Sequence, residues 1–246
     1  MINHKRWAIH YDEDRNYDPL TAQIILNYCS PSNNIKILDF GCGTGNYLKF
    51  FSKFNQFELF GIDPSEDMLE IARAKCNDIN IQKGDHANIP FEDNTFDIVY
   101  MIDVIQHINN NHMLFSQIHK ILKNNGILFV LTISHDQLNK RPWNKFFKEA
   151  FNVQCSRFPH INNLIQIAQS NKLYHENTII IEEQRTEFIP RSFLNIAKNK
   201  EYSFFYLISE EDYRNGISLL QKAIEQKQTW EYIHGETMLI FKKAMT

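Results

Sequence analysis

Three carboxylates and three glycines stand where they can hold a single ligand. Gly41, Gly43 and Gly45 concentrate 3 of the chain's 8 glycines in one short stretch, Asp39-Phe40-Gly41-Cys42-Gly43-Thr44-Gly45-Asn46. A residue without a Cβ, clustered in this way, marks backbone that bends sharply or passes close beneath something. The stretch follows the short apolar run Ile35 to Phe40. It precedes Tyr47, Leu48, Phe51 and Phe54 at helical spacing, so the glycines occupy a strand-to-helix turn. Such a turn presents backbone N–H groups at a helix start, on the edge where ligands of open α/β sheets bind. Asp63 ends a second apolar run, Phe57 to Ile62. An ionised carboxylate there only accepts and can take both hydroxyls of a ribose. Asp85 closes a third run, Ile79 to Lys83, and can accept from an exocyclic amine. A lone Asp after a strand serves equally well as a turn former or helix cap. Order and spacing together assign the three acids to one elongated nucleoside.

These residues need a frame. Ser65 reads as an N-cap, with Glu66 and Asp67 complementing the helix dipole. The helix runs to Lys75 and buries Met68, Ile71 and Ala72. Phe96 to Met101 is a strand, and His112 to Leu122 a helix. Asn124-Asn125-Gly126 stops that helix and turns into a strand over Ile127 to Ile133. Strands alternating with helices at this interval predict a parallel α/β sheet with helices on both faces. From Ser134 the rhythm changes. Residues 136–158 are aromatic and mildly basic, Ile161 to Gln169 is helical, and Asn177 to Gln184 holds a strand. Glu187 to Glu231 reads as helical and aromatic, and Glu236 to Lys242 as a last strand. No repeat or linker interrupts the chain, which predicts a single domain over 1–246.

Composition removes several function classes. Hydrophobic residues make up 43% and charged residues 22%, an ordinary globular balance. The net charge is −3 and the pI about 6.4, which argues against a binder of nucleic acid backbone. Cys29, Cys42, Cys76 and Cys155 are far apart and form no close ligand pair, so neither a zinc site nor a disulfide framework is expected. Met1 to Asp14 lacks the apolar core of a secretory signal. The longest strong apolar run, Gly126 to Ile133, is too short for a membrane span. A soluble, cytoplasmic setting follows as the expectation.

With these motifs in order, the chain resembles the class I S-adenosylmethionine-dependent methyltransferases, in the small-molecule, type 11-like branch. The resemblance rests on Ile37-Leu38-Asp39-Phe40-Gly41-Cys42-Gly43-Thr44-Gly45, on Phe60-Gly61-Ile62-Asp63-Pro64-Ser65-Glu66-Asp67-Met68-Leu69 and on Gly84-Asp85-His86-Ala87. It extends through Ile89-Pro90-Phe91-Glu92-Asp93-Asn94-Thr95-Phe96-Asp97-Ile98-Val99. It implies a Rossmann-like, seven-stranded, mostly parallel sheet with the last strand antiparallel, helices on both faces and helical cap elements. It implies S-adenosyl-L-methionine as cofactor. The glycine loop, with Gly41, Gly43 and Gly45, would hold its methionine portion, Asp63 the ribose, and Asp85 with His86 the adenine edge, and Asp39 is among the cofactor-binding residues. Met68 would pack on the adenine, and Met101, just past the fourth strand, would line the cofactor near the reactive centre. Trp7, Tyr11 and Arg15 fall on one helical face. The resemblance gives Tyr11 and Arg15 the task of covering the cofactor and binding its carboxylate, within N-terminal helices over 1–30.

Methyl transfer is an in-line displacement, so alignment carries much of the catalysis and a general base is needed only for some acceptors. His107 is the candidate base, ahead of His135 and His160; each also reads as a packed, hydrogen-bonded histidine, and no catalytic residue is assigned. His107 and His112 have no acidic partner, so no metal is expected. Residues 136–160 and 187–232 are the expected substrate-cap elements, built around Trp143, Phe146, Phe158, Phe193, Tyr202, Phe205 and Tyr206. The acceptor is expected to be a small molecule. Nucleobase amines are disfavoured because Met101-Ile102-Asp103-Val104 replaces an Asn/Asp-Pro-Pro-aromatic clamp. A nicotinamide-dependent oxidoreductase is the alternative within the fold, but its turn wants Gly-x-Gly-x-x-Gly and position 46 is Asn. A non-catalytic cofactor-binding or activating subunit is the alternative outside enzymes.

Overall fold

The computed structural model describes residues 16–29 and 34–244. Tyr11, Arg15 and the helix expected around them lie outside the described residues. The first described helix, α1 (Pro19–Asn27), begins with Pro at its first position, and the Asp18 carboxylate accepts from the Thr21 N–H at 2.6 Å. Strand β1 (Ile35–Phe40) is buried almost throughout, as a central parallel strand covered on both faces should be. The glycine turn then leads into α2 (Asn46–Phe51). Strand β2 (Phe57–Asp63), α3 (Glu66–Lys75) and β3 (Asn80–Lys83) follow. Strand β4 (Phe96–Ile102) precedes α4 (Asn111–Ile121), which Asn110 caps by accepting from the Met113 N–H. Strand β5 (Leu122–Thr132) comes next.

The seven strands are ordered β3-β2-β1-β4-β5-β7-β6, with β6 spanning Leu173–Phe188 and β7 Thr229–Lys243. Strands β1 to β5 pair in parallel. The last strand, antiparallel, completes a mixed Rossmann-like sheet with helices on both faces. Register decides what meets at the carboxyl edge. Asp39 lies opposite Gly61 of β2 and Tyr100 of β4, and Asp63 lies opposite Lys83 of β3.

By contacts between backbone positions the chain falls into two compact units. The first comprises residues 1–131, 162–178 and 239–246. Its core includes Phe51, Phe96, Tyr100, Phe115, Phe129 and Phe241, all fully buried. The second comprises residues 132–161 and 179–238, and both expected cap segments, 136–160 and 187–232, fall within it. It contains the short helices α5 (His135–Asn139) and α6 (Ala150–Cys155), then α8 (Arg191–Lys198) and α9 (Glu210–Glu225). Helix α7 (Ile161–Ser170) belongs almost entirely to the first unit. An aromatic cluster forms the core of the second unit, where Trp143 stacks on Phe193 with ring centroids 3.5 Å apart. Asp212 fastens α9 there: its two carboxylate oxygens accept the Lys148 and Glu149 N–H groups at 3.0 Å each.

Three expectations are corrected. The turn expected at Asn124-Asn125-Gly126 lies inside β5. Leu122 pairs with Phe96 and Ile127 with Ile98, so the intervening residues are accommodated as a bulge, with Asn125 at φ 63°. That conformation suits the turn-forming residues the sequence shows. Strands β6 and β7 are far longer than their apolar centres suggest. Most of β6 beyond Ile181 is exposed, so charged residues occupy it without breaking the ladder. For the same reason the stretch 187–231 is not helical throughout: its two ends belong to β6 and β7, and α8 and α9 occupy only part of the interval.

Candidate active site

The glycine turn adopts backbone that side chains resist. Gly41, Gly43 and Gly45 have φ of 80°, 51° and 79°. A Cβ at Gly41 would lie 2.5 Å from Val104 Cγ2. The turn is tied to β2, because the Gly41 and Cys42 N–H groups both donate to the Ile62 carbonyl, at 2.8 and 2.9 Å. Gly45 then occupies the N-cap position of α2.

Asp63 belongs to this turn as much as to β2. Its Oδ2 accepts the Gly43 N–H at 3.0 Å, and its Oδ1 accepts the Ser65 N–H at 2.8 Å. Ser65 stands at the N-cap position of α3, as expected, but its own side chain makes no capping bond. Each Asp63 oxygen retains a second lone-pair direction for a hydroxyl. Burial pushes the Asp63 carboxyl above its usual range, and the two backbone donors oppose that rise. Asp85 is exposed, and its Oδ1 accepts from Ala87 and Asn88 N–H groups at 2.8 and 2.9 Å, shaping the turn after β3. His86 is half-buried beside it.

Asp39 is the deepest acid of the set, 4% exposed. Burial raises its carboxyl to about 8; the Tyr100 hydroxyl pulls the other way, and the Asp63 charge adds to the rise. Tyr100 is fully buried. Its Oη faces the Asp39 carboxyl and acts on it. Sequence reasoning missed Tyr100 because a tyrosine inside an apolar strand reads as core; only the β1–β4 register puts it beside an acid.

Met68 lies in the first turn of α3 and is 8% exposed, packed with Leu69 and Ala72. Met101 is fully buried and opposes Val130. It sits inside β4, which runs on to Ile102, and not beyond the strand as expected. After β4 comes a feature the motifs did not mark. Asp103 is left-handed at φ 57°, its carbonyl accepts from Gln106 Nε2 at 2.8 Å, and Val104 closes on Gly41. His107 ends the short 3-10 turn Ile105–His107, with an exposed side chain. The other two candidate histidines belong to the second unit. His135 and His160 stack with ring centroids 3.8 Å apart, and His135 Nε2 lies 2.7 Å from the Phe158 carbonyl.

The site suits an adenosyl cofactor. Its acceptors stand at successive strand ends, and its loop tolerates only glycine at Gly41. Residues 38–130 match the family described as methyltransferase domain. Over those residues the chain is similar to the class I S-adenosylmethionine-dependent methyltransferases. S-adenosylmethionine is the cofactor of that family. Demethylmenaquinone methyltransferase of Staphylococcus saprophyticus is 32% identical over 134 residues, covering 52% of this chain and 55% of that protein. The crystal structure of the YcgJ protein from Bacillus subtilis shares the fold with a TM-score of 0.66 at 14% identity, over 93% of this chain and 100% of that one. Phosphoethanolamine N-methyltransferase 2 of Haemonchus contortus, solved with phosphomonomethylethanolamine and S-adenosylhomocysteine, gives 0.59 at 21% identity, over 97% of this chain and 57% of that one. The chain spans 32%, 49% and 55% of the length of three curated relatives it matches. Among the described residues no helix is long and apolar enough to cross a membrane.

Proposed function

We propose that this chain catalyses S-adenosylmethionine-dependent methyl transfer to a small organic acceptor by in-line displacement. The observation that carries the reading is the left-handed glycine turn fastened through Gly43 to Asp63, with Asp39 and Asp85 at the neighbouring strand ends. When bound, the cofactor supplies a methyl carbon activated on a sulfonium sulfur. The chain's residues then bind and orient. The glycine turn with Asp39 receives the methionine portion. Asp63 accepts the ribose hydroxyls through its remaining lone pairs, and Asp85 with His86 meets the adenine edge. Met68 packs on the base, and Met101 backs the reactive end. Tyr11 and Arg15, from the N-terminal segment 1–30, cover the cofactor and bind its carboxylate; the planar donor fork of Arg suits that task.

The chain acts in this reading as one methyltransferase domain, with residues 136–160 and 187–232 selecting the acceptor. The relative from S. saprophyticus is named for a demethylmenaquinone substrate, which makes aromatic ring carbons the first acceptor class to assay.

Calorimetric titration with S-adenosylmethionine tests the core of the proposal. Asp63→Ala is expected to weaken binding by about 1.5–3 kcal/mol, the worth of charge-assisted hydrogen bonds, while the circular dichroism stays that of a folded chain. Unchanged affinity in the folded variant removes the ribose assignment. Tight binding without turnover on any acceptor class favours a binding or activating subunit, and binding of a nicotinamide cofactor instead returns the oxidoreductase reading.

A further inference from the structure

Strand β6 ends the sheet order, so among the described residues one of its two sides has no neighbouring strand. Its portion within the second unit, residues 179–188, is the more open one, and every residue from Glu182 to Phe188 is exposed. Just beyond it the Ile189 N–H donates to the Gln228 carbonyl at 3.1 Å. Glu182 lies against Gly235 in the same register, so β6 and β7 keep step between these points. Backbone groups alternate in direction along an antiparallel strand, and Ile189 turns its N–H toward β7. Ile180, Glu182, Gln184, Thr186 and Phe188 therefore turn theirs to the open side. Such an edge is a template for a further strand, which proteins blunt with lysine, proline or a bulge. Residues 179–188 hold no lysine and no proline. Their acids are answered within the chain: Glu182 by Lys140 at 3.6 Å, Glu183 by Arg185 at 2.6 Å and Glu187 by the Tyr232 hydroxyl at 2.8 Å. Little bare negative charge is left to repel a second strand.

The edge is complementary to itself about Gln184. Laid antiparallel on a second copy with Gln184 opposite Gln184, it sets Glu183 against Arg185, Glu182 against Thr186 and Ile180 against Phe188. Ile180 and Phe188, 65% and 67% exposed, are the most exposed large apolar side chains among the described residues, and this register covers both. Moving the axis by one residue sets Glu183 or Arg185 against its own copy, which like charge opposes. We infer that a second copy of this chain is the partner of the β6 edge, joined by antiparallel pairing over residues 180–188 about a twofold axis at Gln184. The inference is independent of the cofactor reading and stands or falls on this edge.

The test is sedimentation equilibrium of the full chain, whose single copy weighs 29.2 kDa. One ladder makes a small interface, so reversible dimers with a dissociation constant of roughly 1–100 μM are expected. Gln184→Pro removes an outward N–H and leaves the bonds to β7 in place, as proline on an edge strand can. It is expected to sediment as a monomer with unchanged circular dichroism. Arg185→Glu alters an exposed side chain and sets like charges opposite one another on both sides of the axis. It is expected to weaken association about tenfold. The exchange Glu183→Arg with Arg185→Glu restores the opposite charges and is expected to restore the dimer. A general loss of folding cannot produce that recovery, so these two variants decide the matter if Gln184→Pro fails to fold. A wild-type chain that stays monomeric throughout this range overturns the inference. A dimer unmoved by Gln184→Pro and Arg185→Glu places the contact elsewhere and overturns it equally. Failure of the exchanged pair to recover association overturns the register about Gln184.

Discussion

A methyl group added at Gly41 meets Val104 Cγ2 at 2.5 Å and is carried by backbone at φ 80°. Those are two separate penalties, and mutation can separate them. Gly41→Ala is expected to lower stability by about 1–3 kcal/mol, from backbone strain together with overpacking. Val104→Ala in the same chain should recover the steric part and leave the backbone part, so the pair will be non-additive in urea denaturation. Strict additivity would show that Val104 does not confine Gly41. Asp39 gives a second prediction at this scale. Its carboxyl is raised from 3.8 to about 8, so above about pH 4 the folded chain holds a proton that the unfolded chain has lost. Stability through this group therefore falls as pH rises from about 4 to about 8 and levels off above. Asp39→Asn should lose less stability than the wild type between about pH 5 and pH 8; parallel pH profiles would contradict the raised carboxyl. The glycines stood out because the chain has only 8 of them, and the acids because each lies at or just after the end of a short apolar run. Tyr100 and Gln106 were not, since nothing in a linear sequence shows which hydroxyl or amide a neighbouring strand or turn will face.

Elements were legible in proportion to how much they bury. Strands β1, β2 and β4 bury most of their residues, so their apolar runs gave boundaries within a residue or two. Strand β6 alternates charges along an exposed ribbon, and its apolar centre at Ile179-Ile180-Ile181 marked less than half of it. The β5 bulge escaped notice because Asn-Asn-Gly is equally apt in a turn and in an interrupted ladder. Helix α9 shows a further limit. Gly216 lies inside it, where glycine costs up to about 1 kcal/mol relative to Ala. Yet a Cβ at Gly216 would lie 2.2 Å from Phe147 Cδ1, in the rigid aromatic cluster of the second unit. The close approach outweighs the propensity, because a ring held by Phe205 and its neighbours cannot yield as a flexible chain end does. Gly216→Ala is therefore expected to destabilise by about 1–3 kcal/mol, read by the fluorescence of Trp143 and Trp230. A gain in stability would mean that helix propensity prevails.

At the scale of the whole molecule, every described motif residue belongs to the first compact unit: Asp39 to Gly45, Asp63, Met68, Asp85, His86 and Met101. The interrupted ownership of that unit, which takes back residues 162–178 and 239–246 after the chain has built the second, hid the division from a reading along the sequence. No linker was there to find, because strand β5, helix α7 and strands β6 and β7 carry the chain across the four boundaries. The location of the motifs has a measurable consequence. A ligand that binds only the folded state stabilises it by about 2.7 kcal/mol at a hundred times its dissociation constant. That free energy acts first on the segments that open locally to release it. Hydrogen exchange of the full chain with and without S-adenosylhomocysteine should show added protection in peptides spanning residues 38–47, 61–69 and 84–89. The Gly43 N–H already bonded to Asp63 anchors the first two of these segments to each other, so they should slow together and by the same factor. Protection confined to residues 132–161 and 179–238 would move the cofactor away from the glycine turn and take the assignment of all three acids with it.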